Sequence, residues 1–223
     1  MPKLIPTKIS RWTQPSFPLS FIVLLGCLCL LVLFGWLSQE VLEKETFGFD
    51  TTILLWLHQY SNSPVDSLML GVTKLADPEF VVILVAISLG FLLRHRRVWA
   101  AQIFVLACLG GLILNQGLKL VFVKPRPQLW TPLIVEHSYS FPSGHALGSL
   151  VLYGLIAVLL VDRYPHYRVG IYSLASVMIG AIGLSRLFLG VHYPTDIIAG
   201  YAVGFLWLAI CVWILRMGRI VNR

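Results

Sequence analysis

The sequence predicts an all-α integral-membrane protein, a bundle of six transmembrane helices with both termini cytoplasmic and a short interfacial helical segment between spans one and two. Three observations carry this expectation. The 223-residue chain is 57% hydrophobic and 12% charged, with a mean hydropathy of +0.82, well outside the soluble globular norm. Several apolar runs approach the roughly 20 residues a helix needs to cross a hydrocarbon core. A chain in hydrocarbon must also satisfy its backbone polar groups internally, which favours helices. A single domain covering residues 1–223 is expected.

The first run, Ser20 to Leu37, follows a leader carrying Lys3, Lys8 and Arg11 and must be weighed as a secretory signal. It is longer than a usual signal core, and "SQEVLEKE" offers no small-x-small cleavage site, so it reads as a retained span. Residues 53–76 read as the interfacial segment. The remaining spans fall at 78–93, 98–118, 145–161, 169–189 and 196–215. Three of the six are short for a full crossing; either they extend into flanking residues or the outer end of the bundle is recessed in the headgroup zone. Cys27, Cys29, Cys108 and Cys211 lie inside apolar runs without metal-ligand spacing and read as core packing. No internal repeat or low-complexity stretch is present.

Charge orients the bundle, because cytoplasmic loops collect Lys and Arg. The leader, "RHRR" at 94–97, "DRYPHYR" at 162–168 and the tail with Arg216, Arg219 and Arg223 fall on one side. Nearly every acid falls on the other: Glu40, Glu43, Glu45, Asp50, Asp66, Asp77, Glu79, Glu136 and Asp196. Lys44 and Lys74 sit in acidic or interfacial surroundings and need no special role. Lys119, Lys124, Arg126 and Arg186 lie at the outer ends of spans three and five, where this rule would not put them. A cation at such depth costs up to roughly 3 kcal/mol on insertion scales and usually serves function; the plain alternative is snorkelling to headgroups.

Three polar clusters emerge at that outer face: "KLVFVKPRP" (119–127), "PSGH" (142–145) and "SRLFLGVHYPTD" (185–196). A pocket built from them would hold Lys119, Arg126 and Arg186 as fixed cations, with Ser143 and Gly144 at a helix start. Arginine forks match phosphate oxygens, and a helix N-terminus offers free N–H groups to an anion. His192 precedes Asp196 by four residues, so the carboxylate can take the Nδ1 proton and leave Nε2 to attack phosphorus. His145 can protonate the leaving oxygen and then activate water. The three cations would stabilise charge on the equatorial oxygens and would repel the divalent ion for which two histidines and an aspartate are plausible ligands. Each piece has a plainer reading: Ser143 as a cap, Asp196 as a cap, a histidine as a hydrogen-bonded bystander.

These residues resemble, in order and spacing, the three-part signature of the type 2 phosphatidic acid phosphatase (PAP2) superfamily. Lys119 through Arg126 and Pro127 match its first part, residues 142–145 its second, and Ser185, Arg186, His192 and Asp196 its third, with no departure. The resemblance implies a metal-independent, cofactor-free phosphatase working through a phosphohistidine. His192 would be nucleophile, Asp196 its partner and His145 the general acid/base, with Lys119, Arg126, Ser143, Gly144 and Arg186 holding phosphate. The family also includes soluble acid phosphatases and vanadate-dependent haloperoxidases, so its signature specifies the pocket better than the reaction.

A pocket recessed at the bilayer surface suits a lipid whose phosphate lies at headgroup depth: phosphatidate, phosphatidylglycerophosphate or polyprenyl diphosphate. Bilayer and lipid phosphate are the expected partners and nucleic acid is not; the oligomeric state is open. Lys124 could attract a second phosphate or only snorkel, and Glu136 and His137 could touch a headgroup or form a solvated loop. A lipid phosphotransferase and a non-hydrolytic carrier are the competing functions, although Gln102, Asn115 and Gln116 offer few polar groups for a transport path. The expected location is the cell (inner) membrane, with the site on the periplasmic or outer face.

Overall fold

Prolines and polar caps start the helices. Pro78 and Pro194 stand at the first positions of two of them, where a missing N–H loses nothing and the fixed φ already suits a helix. Asn62 accepts from Val65 N at 3.2 Å and Ser143 Oγ from Ala146 N at 3.4 Å, each capping the helix that follows. The computed structural model describes residues 17–43 and 47–221. Lys3, Lys8, Arg11, Lys44, Glu45, Arg223 and the Arg219 side chain lie outside what is described.

The order is α1 (Phe17–Leu42), α2 (Gly48–His58), α3 (Ser63–Thr73), a 3-10 turn (Lys74–Ala76), α4 (Pro78–Arg94), α5 (Val98–Phe122), α6 (Gly144–Arg163), α7 (Arg168–Phe188) and α8 (Pro194–Val221). No strand occurs among the described residues. Among the described residues, five helices are long and apolar enough to cross a membrane, or six if α3 and α4, bent by 46° at their break, count as one span. The segment expected to be interfacial is thus two helices, the second of which joins α4 in that bent pair. The reason is local: Pro78 supplies no N–H to continue a helix through Asp77. Elsewhere the short spans lengthen into flanking residues, as 145–161 does to Gly144–Arg163.

Helix α6 is the centre, packed against α5, α7 and α8, with Leu147, Val151, Leu152 and Leu155 buried beside Phe104, Ala107 and Cys211. Gly200 and Gly204 on α8 make its closest crossing possible. A Cβ at Gly200 would stand 2.7 Å from Ser143 O, and one at Gly204 3.1 Å from Leu147 O. Such small-xxx-small pairs let helix backbones approach in membranes, where lipid supplies no hydrophobic drive for association. The approach lets Ser143 N donate to Asp196 O at 3.0 Å, joining the starts of α6 and α8. At the far end Arg97 pairs with Asp162 at 2.7 Å and the Trp99 indole donates to Leu215 O, so the basic loops at 94–97 and 163–168 share one end and the polar clusters the other. Cys211 is buried as expected, but Cys29 is exposed on α1 and packs no core. The neighbouring Ile22, Leu24 and Leu28 are exposed too, an apolar outer face that suits lipid.

Candidate active site

The loop from α7 to α8 turns at Gly190, whose φ of +72° lies in the left-handed region that glycine enters without strain; a Cβ there would strike the Trp130 indole. The turn delivers His192 and Asp196 to the base of α8, both fully buried. Asp196 Oδ2 accepts from Tyr193 N at 2.9 Å and from Ser140 Oγ at 2.5 Å, and lies 3.4 Å from His192 Nδ1. Lys124 Nζ pairs with the other oxygen, Oδ1, at 2.7 Å. Beneath this pair, Asp50 on α2 accepts from Thr195 N (3.0 Å) and Thr195 Oγ1 (2.7 Å), tying α2 to the first turn of α8. Burial raises the Asp50 carboxyl above its ordinary range, and the Thr195 bonds offset part of that rise.

Arg126 anchors the loop after α5. Its Nη1 donates to Val191 O at 2.7 Å and lies 3.3 Å from His192 Nε2, while Nε and Nη2 engage Ser138. A guanidinium only donates, so a hydrogen bond to it requires the lone pair on Nε2 and the proton on Nδ1, facing Asp196. Burial pushes the His192 imidazole down to about 3 although Asp196 pulls the other way, so the ring is neutral at ordinary pH. Lys119, also buried, donates to Ser138 Oγ (2.8 Å) and Tyr139 O (2.7 Å), so it shares Ser138 with Arg126.

Arg186 is the most deeply held cation, 1% exposed. Nη1 donates to Thr73 Oγ1 at 2.8 Å, Nη2 bonds the Glu136 carboxylate, and the buried Nε has no partner in the structure. Glu136 also lies 3.6 Å from Arg126 Nη2, so one carboxylate bridges both guanidinium groups. Burial works to raise the Glu136 carboxyl, but Arg186 and Arg126 together hold it below the usual carboxylate range. A negatively charged group therefore already sits where the cations converge, and an unspent donor waits beside it. His145, in the first turn of α6, faces this group with Nε2 2.8 Å from Asp77 Oδ1.

The structure thus gathers Lys119, Arg126, Ser143, Gly144, His145, Arg186, His192 and Asp196 at one end of the bundle. Gly144 has no side chain in the space that Asn115 enters; a Cβ would stand 3.0 Å from its Oδ1, and Asn115 Nδ2 donates to Pro142 O. Lys124 neither snorkels nor stands free for a second phosphate, being spent on Asp196. Glu136 is a member of the cluster rather than a solvated loop residue. Sequence reasoning missed Ser140, Thr73 and Asp77, whose contacts join segments 52 to 113 residues apart and leave no periodic trace. Ser140, two residues before Pro142, was the most findable.

Residues 99–219 match the model of the PAP2 superfamily. Phosphatidylglycerophosphatase B of Bacillus subtilis is 32% identical over 145 residues, 64% of this chain and 71% of that protein. Undecaprenyl-diphosphatase BcrC of the same organism is 32% identical over 152 residues, 66% of this chain and 73% of that protein. Among solved structures, a transmembrane PAP2 type phosphatidylglycerolphosphate phosphatase from Bacillus subtilis superposes with a TM-score of 0.77 at 27% identity, covering 84% of this chain and 94% of its own. A family match over more than half the chain, falling on the helices and loops that carry Arg126, His145, Arg186 and His192, makes this multi-pass membrane protein a member of the PAP2 superfamily.

Proposed function

We propose that this protein, a membrane phosphatase of lipid phosphate esters, removes a terminal phosphoryl group without a metal, through a phosphohistidine at His192, at the non-cytoplasmic face of the cell membrane. The observation that carries this reading is the Arg126–His192 contact: Nε2 lies 3.3 Å from Arg126 Nη1, so a phosphate that draws off the guanidinium comes to lie against Nε2 and frees its lone pair for attack. Substrate phosphate displaces the Glu136 carboxylate from Arg126 and Arg186 and takes the free Arg186 Nε. Lys119 and the first-turn N–H groups at Gly144 and His145 complete the cradle. Nε2 then attacks phosphorus while His145 protonates the departing oxygen. In the second half His145 takes a proton from water, the oxygen attacks phosphorus, the P–N bond breaks, and inorganic phosphate leaves. Asp196 holds the Nδ1 proton throughout, steadied by Ser140 and Lys124.

Because Lys124 is committed to Asp196, the cation that the sequence offered for a second phosphate is taken, which favours a phosphomonoester of the phosphatidylglycerophosphate type over a polyprenyl diphosphate. The deciding experiment incubates purified protein in excess chelator with lipid mono- and diphosphates and measures released phosphate. The expected result is metal-free turnover with monoesters hydrolysed faster, and loss of turnover together with loss of an acid-labile phosphoenzyme in His192→Ala. Strict dependence on an added divalent ion, or normal turnover by His192→Ala, overturns the mechanism.

A further inference from the structure

Asp77 occupies the N-cap position of α4 with the extended backbone usual there (φ −70°, ψ 150°), yet its side chain makes no capping bond. Aspartate is among the best N-cap residues because its oxygens accept from the first-turn amides. Here the carboxylate turns away from its own helix and meets His145 Nε2 on α6 at 2.8 Å. Two neighbours reach across in the same way: Thr73 takes a bond from Arg186 Nη1, and Leu75 O accepts from Tyr153 OH at 2.6 Å. The five residues of the α3–α4 break thus grip three side chains of α6 and α7. Beside them opens a cavity of about 280 Å³ whose lining includes Thr73, Asp77, Val135, Glu136 and Arg186.

We infer that Asp77 is the positioning residue of His145, the partner that orients the acid/base imidazole as Asp196 orients the nucleophile. This rests on the reading of His145 as general acid/base. With Nε2–H donated to Asp77, Nδ1 is the atom left to exchange a proton with the reaction. In the first step the bond between phosphorus and the leaving oxygen breaks and the proton on Nδ1 passes to that oxygen, leaving a neutral ring whose Nε2–H stays on Asp77. In the second step Nδ1 takes a proton from water as the water oxygen bonds to phosphorus and the P–N bond opens, and the imidazolium is restored. The cavity that Asp77, Glu136 and Arg186 line gives the departing alcohol room. The charged groups that face the ring are Asp77 from the α3–α4 break, Glu136 from the loop and Arg186 from α7. The 2.8 Å contact fixes the ring against Asp77 and gives the Nε2 proton a carboxylate to rest on, so the exchanging proton is the one on Nδ1.

The test compares wild type, Asp77→Asn, Asp77→Glu and His145→Ala on two esters: a phosphatidate, whose alkoxide must be protonated to leave, and 2,4-dinitrophenyl phosphate, whose phenolate need not be. Asp77→Asn keeps an acceptor at nearly the same volume, and its thermal melt reports folding separately. We expect kcat on phosphatidate to fall about 10- to 100-fold with KM changed less than about threefold, and the phenolate burst to stay within about threefold of wild type. The alkaline limb of the kcat profile should move to lower pH, because a neutral partner holds the imidazolium proton less firmly, and Asp77→Glu should recover part of the rate. Equal loss on both esters in the burst, or an unmoved alkaline limb, assigns Asp77 a merely structural role and overturns the inference. If His145→Ala separates the two esters and Asp77→Asn does not, this inference alone falls; if His145→Ala does not separate them, the acid/base reading falls and takes this one with it.

Discussion

Glu136 bridges Arg126 and Arg186 with the kind of contact a substrate phosphate would make, so it competes with any anion for the same donors. Neutralising it should strengthen phosphate binding: Glu136→Gln is expected to lower the inhibition constant for inorganic phosphate several-fold, measured by competition in the lipid phosphatase assay. Weaker phosphate inhibition would mean that the carboxylate organises the arginines more than it screens them. His192 supplies a second residue-scale prediction. Its imidazole is held down to about 3 by burial, against about 6.5 in an unfolded chain. Between those values the unfolded state binds the extra proton, so stability is complete above pH 6.5 and falls as the pH drops toward 3, at a slope approaching about 1.4 kcal/mol per pH unit. A thermal-melt series in detergent from pH 7.5 to 4 should show this loss, and His192→Gln, which cannot titrate, should flatten part of it.

The spacing of elements explains what sequence could and could not foretell. Helices α5, α6, α7 and α8 were legible because each is a long apolar run bounded by charges or a proline, α6 and α7 to within two residues, while α5 and α8 run past the expected 118 and 215 to Phe122 and Val221. His145, His192 and Asp196 were legible because they sit on short fixed spacings within two of those ends. The α3–α4 break was not: its apolar content is intermediate, and its value lies in contacts to α6 and α7 that no local pattern encodes. Lys124 was misjudged for a similar reason, since a deep cation shows in sequence but its partner, 72 residues away, does not. At this scale the α6–α8 crossing is the critical joint, because it alone brings Ser143 against the backbone of Asp196. Gly200→Ala places a methyl 2.7 Å from Ser143 O, and overpacking of this kind costs about 1–3 kcal/mol. The variant should melt at lower temperature and lose kcat beyond what partial unfolding explains, because the helix starts are forced apart. Gly148→Ala, in open space on α6, is the matched control and should change little.

Across the whole molecule the two ends of the bundle differ in chemistry, and that difference bears on which compartment the substrate comes from. One end carries Arg94, Arg96 and Arg97 together with Arg163 and Arg168 in and beside short loops; the other carries Asp50, Asp77, Glu79 and Glu136 around the candidate site. Short loops rich in Lys and Arg are retained on the cytoplasmic side, so the site should open to the opposite face, where a lipid phosphate in the outer leaflet can reach it without crossing. Leu133 lies in the loop beside the site and Tyr167 in the basic loop between α6 and α7, both more than half exposed. In a background with Cys27, Cys29, Cys108 and Cys211 replaced, single cysteines at these two positions should react oppositely with a membrane-impermeant maleimide applied to intact cells: Leu133→Cys labelled at once, Tyr167→Cys only after permeabilisation. The reverse pattern would place the site on the cytoplasmic face, and labelling of both from outside would break the bundle topology itself. The first result leaves the enzyme acting on lipid phosphates that reach it from the outer leaflet.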